Sequence, residues 1–108
     1  MNLNKEILNH GLNLSMEFGE NWLKPINDRL SDTYPELSKS ELMYCDKLCR
    51  KINEYAHDFI GNNPVKNGNE ISFMESSKFK NVMKAKYSWI DDINLQRLYS
   101  QSCYYAWK

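Results

Sequence analysis

Cys45 and Cys49, four residues apart, with His57 two turns further on, come nearest in this chain to a spacing that does chemistry. Thiolates at i and i+4 share one helix face and could hold a soft metal together, with the imidazole as a further ligand. Both cysteines, however, also fall on an apolar repeat, where a reduced cysteine packs as a small hydrophobe. We therefore read them as core, with no metal and no cofactor. A nucleophilic cysteine needs a base, an electropositive setting and access to solvent, and the local sequence supplies none of these. His57 and Asp58 are consecutive, so on a helix they point about 100° apart and form no ready dyad. His10, beside Gly11, reads as a surface or half-buried side chain. Glycine-rich phosphate loops, paired zinc doublets and serine elbows are absent from the sequence, and the chain is read as a non-enzyme.

Charged and aromatic groupings leave more room for binding. Glu17 with Glu20 and Asp28 with Asp32 are helix neighbours, and Asp91 with Asp92 sits where a helix starts. A solvated acidic face explains the first two and capping the third. Functionally, such a face could dock a basic partner, for instance the substrate groove of a nuclease. Lys78, Lys80, Lys84 and Lys86 interleave with Phe79, Tyr87 and Trp89, a composition able to grip phosphate and stack a base. Four lysines on one helix scatter over several faces, which weakens nucleic-acid binding to an alternative reading. Tyr99, Tyr104, Tyr105 and Trp107 combine large apolar area with polar tips, suited to a binding hot spot or to closing a bundle. The candidate partner-binding residues are Glu17, Glu20, Asp28, Asp32, Tyr104, Tyr105 and Trp107.

The elements that must position these residues are helices. Leu12, Met16, Gly19, Leu23, Ile26 and Leu30 recur at alternating steps of four and three, a seam for helix packing. Pro25 lies within it and cannot donate to the carbonyl of Asn21, so the first helix is expected to be kinked or broken near Gly19 to Pro25. It should stop near Thr33, because Tyr34 precedes Pro35. Ser38 and Glu41 then fit a capping box, with Leu37 and Leu42 placed for a hydrophobic staple. The second helix follows, its apolar face formed by Leu42, Cys45, Cys49, Ile52, Ala56 and Phe59. Leu48 and Tyr55 widen that stripe, and Gly61, Asn62, Asn63 and Pro64 end it. A link of about four residues makes the two helices an antiparallel hairpin.

Asn62 to Asn69 reads as an exposed loop. Ser72 with Glu75 could form a second capping box for a helix carrying Phe79, Val82 and Met83 and fading near Lys86. After an aromatic connector, Tyr87 to Ile90, the carboxylate of Asp91 can cap a last helix lined by Leu95, Leu98, Ser102 and Ala106. The expected fold is all-α, a small four-helix bundle built on the long hairpin, as one domain over residues 1–108.

Composition agrees with that class. The 108 residues are 42% apolar and 26% charged, with 4 Gly and 3 Pro, an ordinary globular balance. Formal net charge is zero, but residues 1–46 hold eight carboxylates against four cations, and the remainder six against ten. Halves of −4 and +4 can steer an encounter with a charged partner. Three cysteines cannot all pair within a monomer and should stay reduced in the cytoplasm. No leader-like or membrane-spanning run is present in the sequence, which supports a cytoplasmic address.

The run from Phe18 to Phe59, FGENWLKPINDRLSDTYPELSKSELMYCDKLCRKINEYAHDF, and the ending SQSCYYAWK resemble segments of small, largely uncharacterised bacterial all-helical proteins. Compact helical proteins of this size include immunity proteins, which bind and neutralise a toxin domain. That resemblance implies a protein-protein interaction module acting on another protein, a toxin domain, by occluding its active site or an exosite. It brings no catalytic or contact residue with it.

Overall fold

The computed structural model describes residues 3–16, 26–63, 65–67, 70–72 and 74–107. The chain divides into two compact units, Met1–Ile52 and Asn53–Lys108. Five helices are present among the described residues, so the helical class read from the sequence holds.

In the first unit, Asn4 caps helix α1 (Lys5–Ser15), its side-chain oxygen accepting from the Ile7 N–H at 3.0 Å. Asparagine serves here because its carbonyl satisfies an N–H that has no partner within the helix. Ile7, Gly11, Leu12 and Leu14 are buried along α1, and Met16 follows them. Helix α2 (Asn27–Thr33) ends at the predicted place, with Tyr34 at φ −126° and ψ 71°, out of the helical region as a residue before proline should be. Ile26 and Leu30 are buried, continuing the seam of Leu12 and Met16. The bend expected between Gly19 and Pro25 lies outside the described residues.

Helix α3 (Lys39–Asn62) begins on the expected capping box. The Ser38 N–H donates to Glu41 Oε1 at 2.9 Å, and the Glu41 N–H donates to Ser38 Oγ at 3.1 Å. Such a cap contributes about 1 kcal/mol and sets the helix register. That register buries Cys45, Cys49, Ile52, Ala56 and Ile60. Phe59, expected on the buried stripe, is half-buried and stacks on Tyr55 at 6.1 Å between ring centroids.

In the second unit, the segment read as a loop contains a small antiparallel hairpin, β1 (Val65–Asn67) with β2 (Glu70–Ser72). The register pairs Asn67 with Glu70 and Val65 with Ser72. In the sequence, Gly-Asn at positions 68 and 69 with the β-branched Val65 and Ile71 around it is a hairpin signal in its own right. Pairing of Ser72 also corrects the expected second capping box. Helix α4 (Ser76–Lys86) starts with Glu75 at its N-cap and no side-chain cap bond.

Helix α4 packs against α5 (Asp92–Trp107). Phe79 and Met83 from α4, Ile90 from the connector, and Leu95 and Leu98 from α5 are buried together with Met74 in this unit. Asp91 caps α5 as expected, its Oδ1 accepting from the Asn94 N–H at 2.8 Å. The Tyr99 hydroxyl donates to the Met74 carbonyl at 2.7 Å, tying α5 to the segment that enters α4.

Candidate functional site

The thiol pair lies under α1. A Cβ built on Gly11 would stand 2.7 Å from Cys45 Sγ and 3.6 Å from Cys49 Sγ, so the helices approach closely only because residue 11 has no side chain. Both cysteines are fully buried. They share a hydrogen bond, which eases the Cys45 thiol below its ordinary range and pushes the Cys49 thiol above it, while burial opposes charge on either. His57 is eight residues beyond Cys49, about 12 Å along the helix axis, far outside the roughly 2 Å reach of metal bonds. Among the described residues no three His, Cys, Asp or Glu side chains are grouped to hold one ion.

Cys103 is half-buried, its thiol pushed up by burial and eased down less by a hydrogen bond with Tyr99. Thiol labelling under native conditions should therefore modify Cys103 alone and slowly, because reactivity needs access as well as thiolate. Cys45 and Cys49 should react only as the fold opens in denaturant. Fast native labelling of either, followed by peptide mass analysis, would show the buried placement to be wrong.

The histidines sit in different surroundings. His10 Nδ1 lies 3.4 Å from the Tyr34 hydroxyl, and the two rings meet edge to face at 5.5 Å. Burial, then the charges of Glu6 and Glu36, raise the Tyr34 phenol above its usual range, leaving it neutral and able to donate. Burial lowers His57 below its ordinary 6.5, against a smaller opposing pull from Asp58. The folded chain thus binds fewer protons than the unfolded one below about pH 6.5, and stability falls as pH drops through that value toward the folded pKa. Urea midpoints at about pH 7.5 and about pH 5.5 should differ more for the native sequence than for His57→Gln. An equal acid-side loss in the variant would remove His57 as the cause.

The lysine segment is engaged within its own unit. Lys84 pairs with Asp92 at 3.1 Å, and the Lys86 ammonium lies 4.0 Å from the Tyr55 ring centroid and 5.8 Å from that of Tyr87. These cations grip local groups more than they define one phosphate track.

Of the candidate partner-binding residues, Asp28 and Asp32 are exposed on α2, and Tyr104 is 49% exposed on α5. Tyr105 and Trp107 belong to the last turn of α5, and their side chains lie outside the described set, as do Glu17 and Glu20. No protein-family model, curated protein or solved structure matches the chain. The geometry must therefore carry any functional argument.

Two further features did not stand out in the sequence. Ile93 is 75% exposed, and Tyr104 follows it by eleven residues, three helical turns, so the two stand on one face of α5. Ser100, also exposed, lies between them on that face. On α3, Met43 and Tyr44 are 46% and 48% exposed. The available signal was negative: these are apolar side chains off the core repeat of their helices.

Proposed function

We propose that this protein is a protein-protein interaction module of the immunity type, which neutralises a toxin domain by covering its active site or an adjacent exosite. The observation that carries the reading is the Ile93 to Tyr104 face of α5. A β-branched aliphatic left 75% in water, in line with a half-exposed tyrosine, is costly without a partner and gains by burial. Leu95 and Leu98 hold the opposite side of the same helix in the core, so the face is presented on a rigid element. Tyrosine supplies contact area at low entropic cost. In the other unit, Asp28 and Asp32 are exposed acidic groups able by themselves to steer a basic partner.

We place this action in the cytoplasm, where the three thiols stay reduced. No helix among the described residues is long and apolar enough to cross a membrane. We also take α1 and α2 as the two arms of one helix bent over Gly19 to Pro25, which brings five described helices to the four of the expected bundle. Burial of Leu12 and Met16 on one side of that segment and of Ile26 and Leu30 on the other, at seam positions, supports that joining.

The test starts with copurification of a stoichiometric protein from native cells, followed by expression of that protein alone in a heterologous host. Growth arrest, relieved by the native chain and not by Ile93→Glu with Tyr104→Glu, is the expected result. A partner without toxicity, or rescue that survives both substitutions, would refute the immunity role through this face.

A further inference from the structure

The first half of α3 carries a second surface, and its sign is opposite to the acidic one read from the sequence. Within residues 39–51, the exposed side chains are Lys39, Ser40, Met43, Tyr44, Lys47, Arg50 and Lys51. At 100° per residue these seven fall within an arc of about 140° and extend about 18 Å along the axis. Every charged residue among them is a cation.

The two carboxylates of this stretch are withdrawn from the face. Glu41 is buried and closes the capping box on the Ser38 N–H. Asp46 is half-buried, one oxygen accepting from the Ile26 N–H at 3.4 Å and the other from Arg50 Nε at 3.2 Å. Lys39, Lys47 and Lys51 make no ion pair among the described residues. The cationic stretch ends one turn on, where the exposed Glu54 and then Asp58 continue the same face of α3 with acidic groups. Elsewhere in this unit the described exposed carboxylates, Glu6, Asp28, Asp32 and Glu36, are outside α3. The exposed charge of this first half of α3 is of one sign, which a zero net charge conceals.

We infer that this α3 face, with Met43 and Tyr44 as anchors inside a frame of lysines, docks an acidic protein surface that offers an apolar pocket. This goes beyond the α5 reading above: it names a second surface and the chemistry of that surface's own partner. Methionine adapts to irregular apolar pockets and has nothing to gain on a phosphodiester chain. Three lysines over about 18 Å are few for gripping a polyanion without apolar help, and suit a carboxylate rim around a hydrophobic centre. Rim cations would set the association rate and salt dependence, and the two anchors the lifetime.

The probe is a fluorescent amphipathic peptide alternating leucine with glutamate, compared with its lysine counterpart and with a single-stranded oligonucleotide. Anisotropy titrations should show binding of the acidic peptide only, weakened by salt. Lys47→Glu with Lys51→Glu should lower affinity by about tenfold or more, and Met43→Ala should weaken binding while leaving the salt slope intact. All three positions are exposed, and unchanged circular dichroism confirms that the variants fold.

Failure of the acidic peptide to bind, equal or tighter binding of the oligonucleotide, or indifference to the lysine reversals would each overturn the inference. So would self-association in sedimentation that the reversals abolish, since the occupant would then be a second copy. If the acidic peptide fails to bind while a copurified toxin is neutralised through α5, the α3 inference falls and the immunity reading stands. If the peptide binds α3 and no toxic partner exists, the reverse holds.

Discussion

Replacing Gly11 by leucine is expected to destabilise the protein by on the order of 3 kcal/mol, read as a drop in the urea midpoint. Even a single added carbon would stand 2.7 Å from Cys45 Sγ, 3.2 Å from Ile26 Cδ1 and 3.6 Å from Cys49 Sγ. Cys45, Cys49 and Ile26 are all buried, so none can swing into solvent to make room. Alanine at position 11 is the graded version. It gains about 1 kcal/mol of helix propensity over glycine, and the clash should consume that gain and somewhat more. Combining Gly11→Ala with Cys45→Ala removes the sulfur that the new methyl meets. The double variant should then be more stable than the two single losses predict, by about 1 kcal/mol of coupling. A Gly11→Leu protein within about 0.5 kcal/mol of the native one would refute the close approach of α1 to the thiols.

That close approach was only half legible in the sequence. The periodicity put Cys45 and Cys49 on an apolar face because burial follows the helical repeat, and both are buried. It could not place Gly11 opposite them, since nothing local encodes which face meets which. Caps were legible for the reason that they are local: Ser38 with Glu41, and Asp91 before α5, bond to N–H groups three residues away. Ser72 with Glu75 has the same spacing and fails because Ser72 pairs with Val65 in the hairpin, a contact from outside the window. The burial of Ile60, with Phe59 only half-buried, reflects drift, since a repeat of 3.5 residues departs by about 20° per heptad from a straight helix. Over the two heptads from Cys45 to Phe59 that drift is about 40°, which carries Phe59 toward the edge of the stripe. The candidate surfaces were harder to see. Ile93, Met43 and Tyr44 are residues the core pattern leaves over, and single exposed apolar side chains are ordinary. Their alignment on one helix face, and for α3 the withdrawal of Glu41 and Asp46, emerge only once partners are assigned.

Phe79→Ala should have the largest effect of any single truncation in the second unit, a loss of about 3–5 kcal/mol. Phe79 is fully buried, and its ring lies 5.6 Å from that of Tyr99 at an interplanar angle of 53°. Truncation removes the aromatic pair, worth about 0.5–1.5 kcal/mol beyond area alone, and opens a cavity where α4 meets α5. Tyr99 cannot simply collapse into that space without breaking its 2.7 Å hydrogen bond to the Met74 carbonyl. Tyr99→Phe, which removes that bond and the hydroxyl's contact with the Cys103 thiol but keeps the ring, should cost about 1–2 kcal/mol, so the two changes separate ring packing from the hydroxyl's bonds. Against a total of about 5–15 kcal/mol for a domain, the Phe79 loss raises the open population by about two to four orders of magnitude. The partner binding proposed for α5 should weaken with it, because Ile93 and Tyr104 share a rigid face only while Leu95 and Leu98 remain seated. Ile93→Glu should do the opposite, holding stability within about 0.5 kcal/mol while abolishing binding. Should Ile93→Glu unfold the protein, or Phe79→Ala leave the urea midpoint unmoved, the assignment of inner and outer faces to α5 would be reversed.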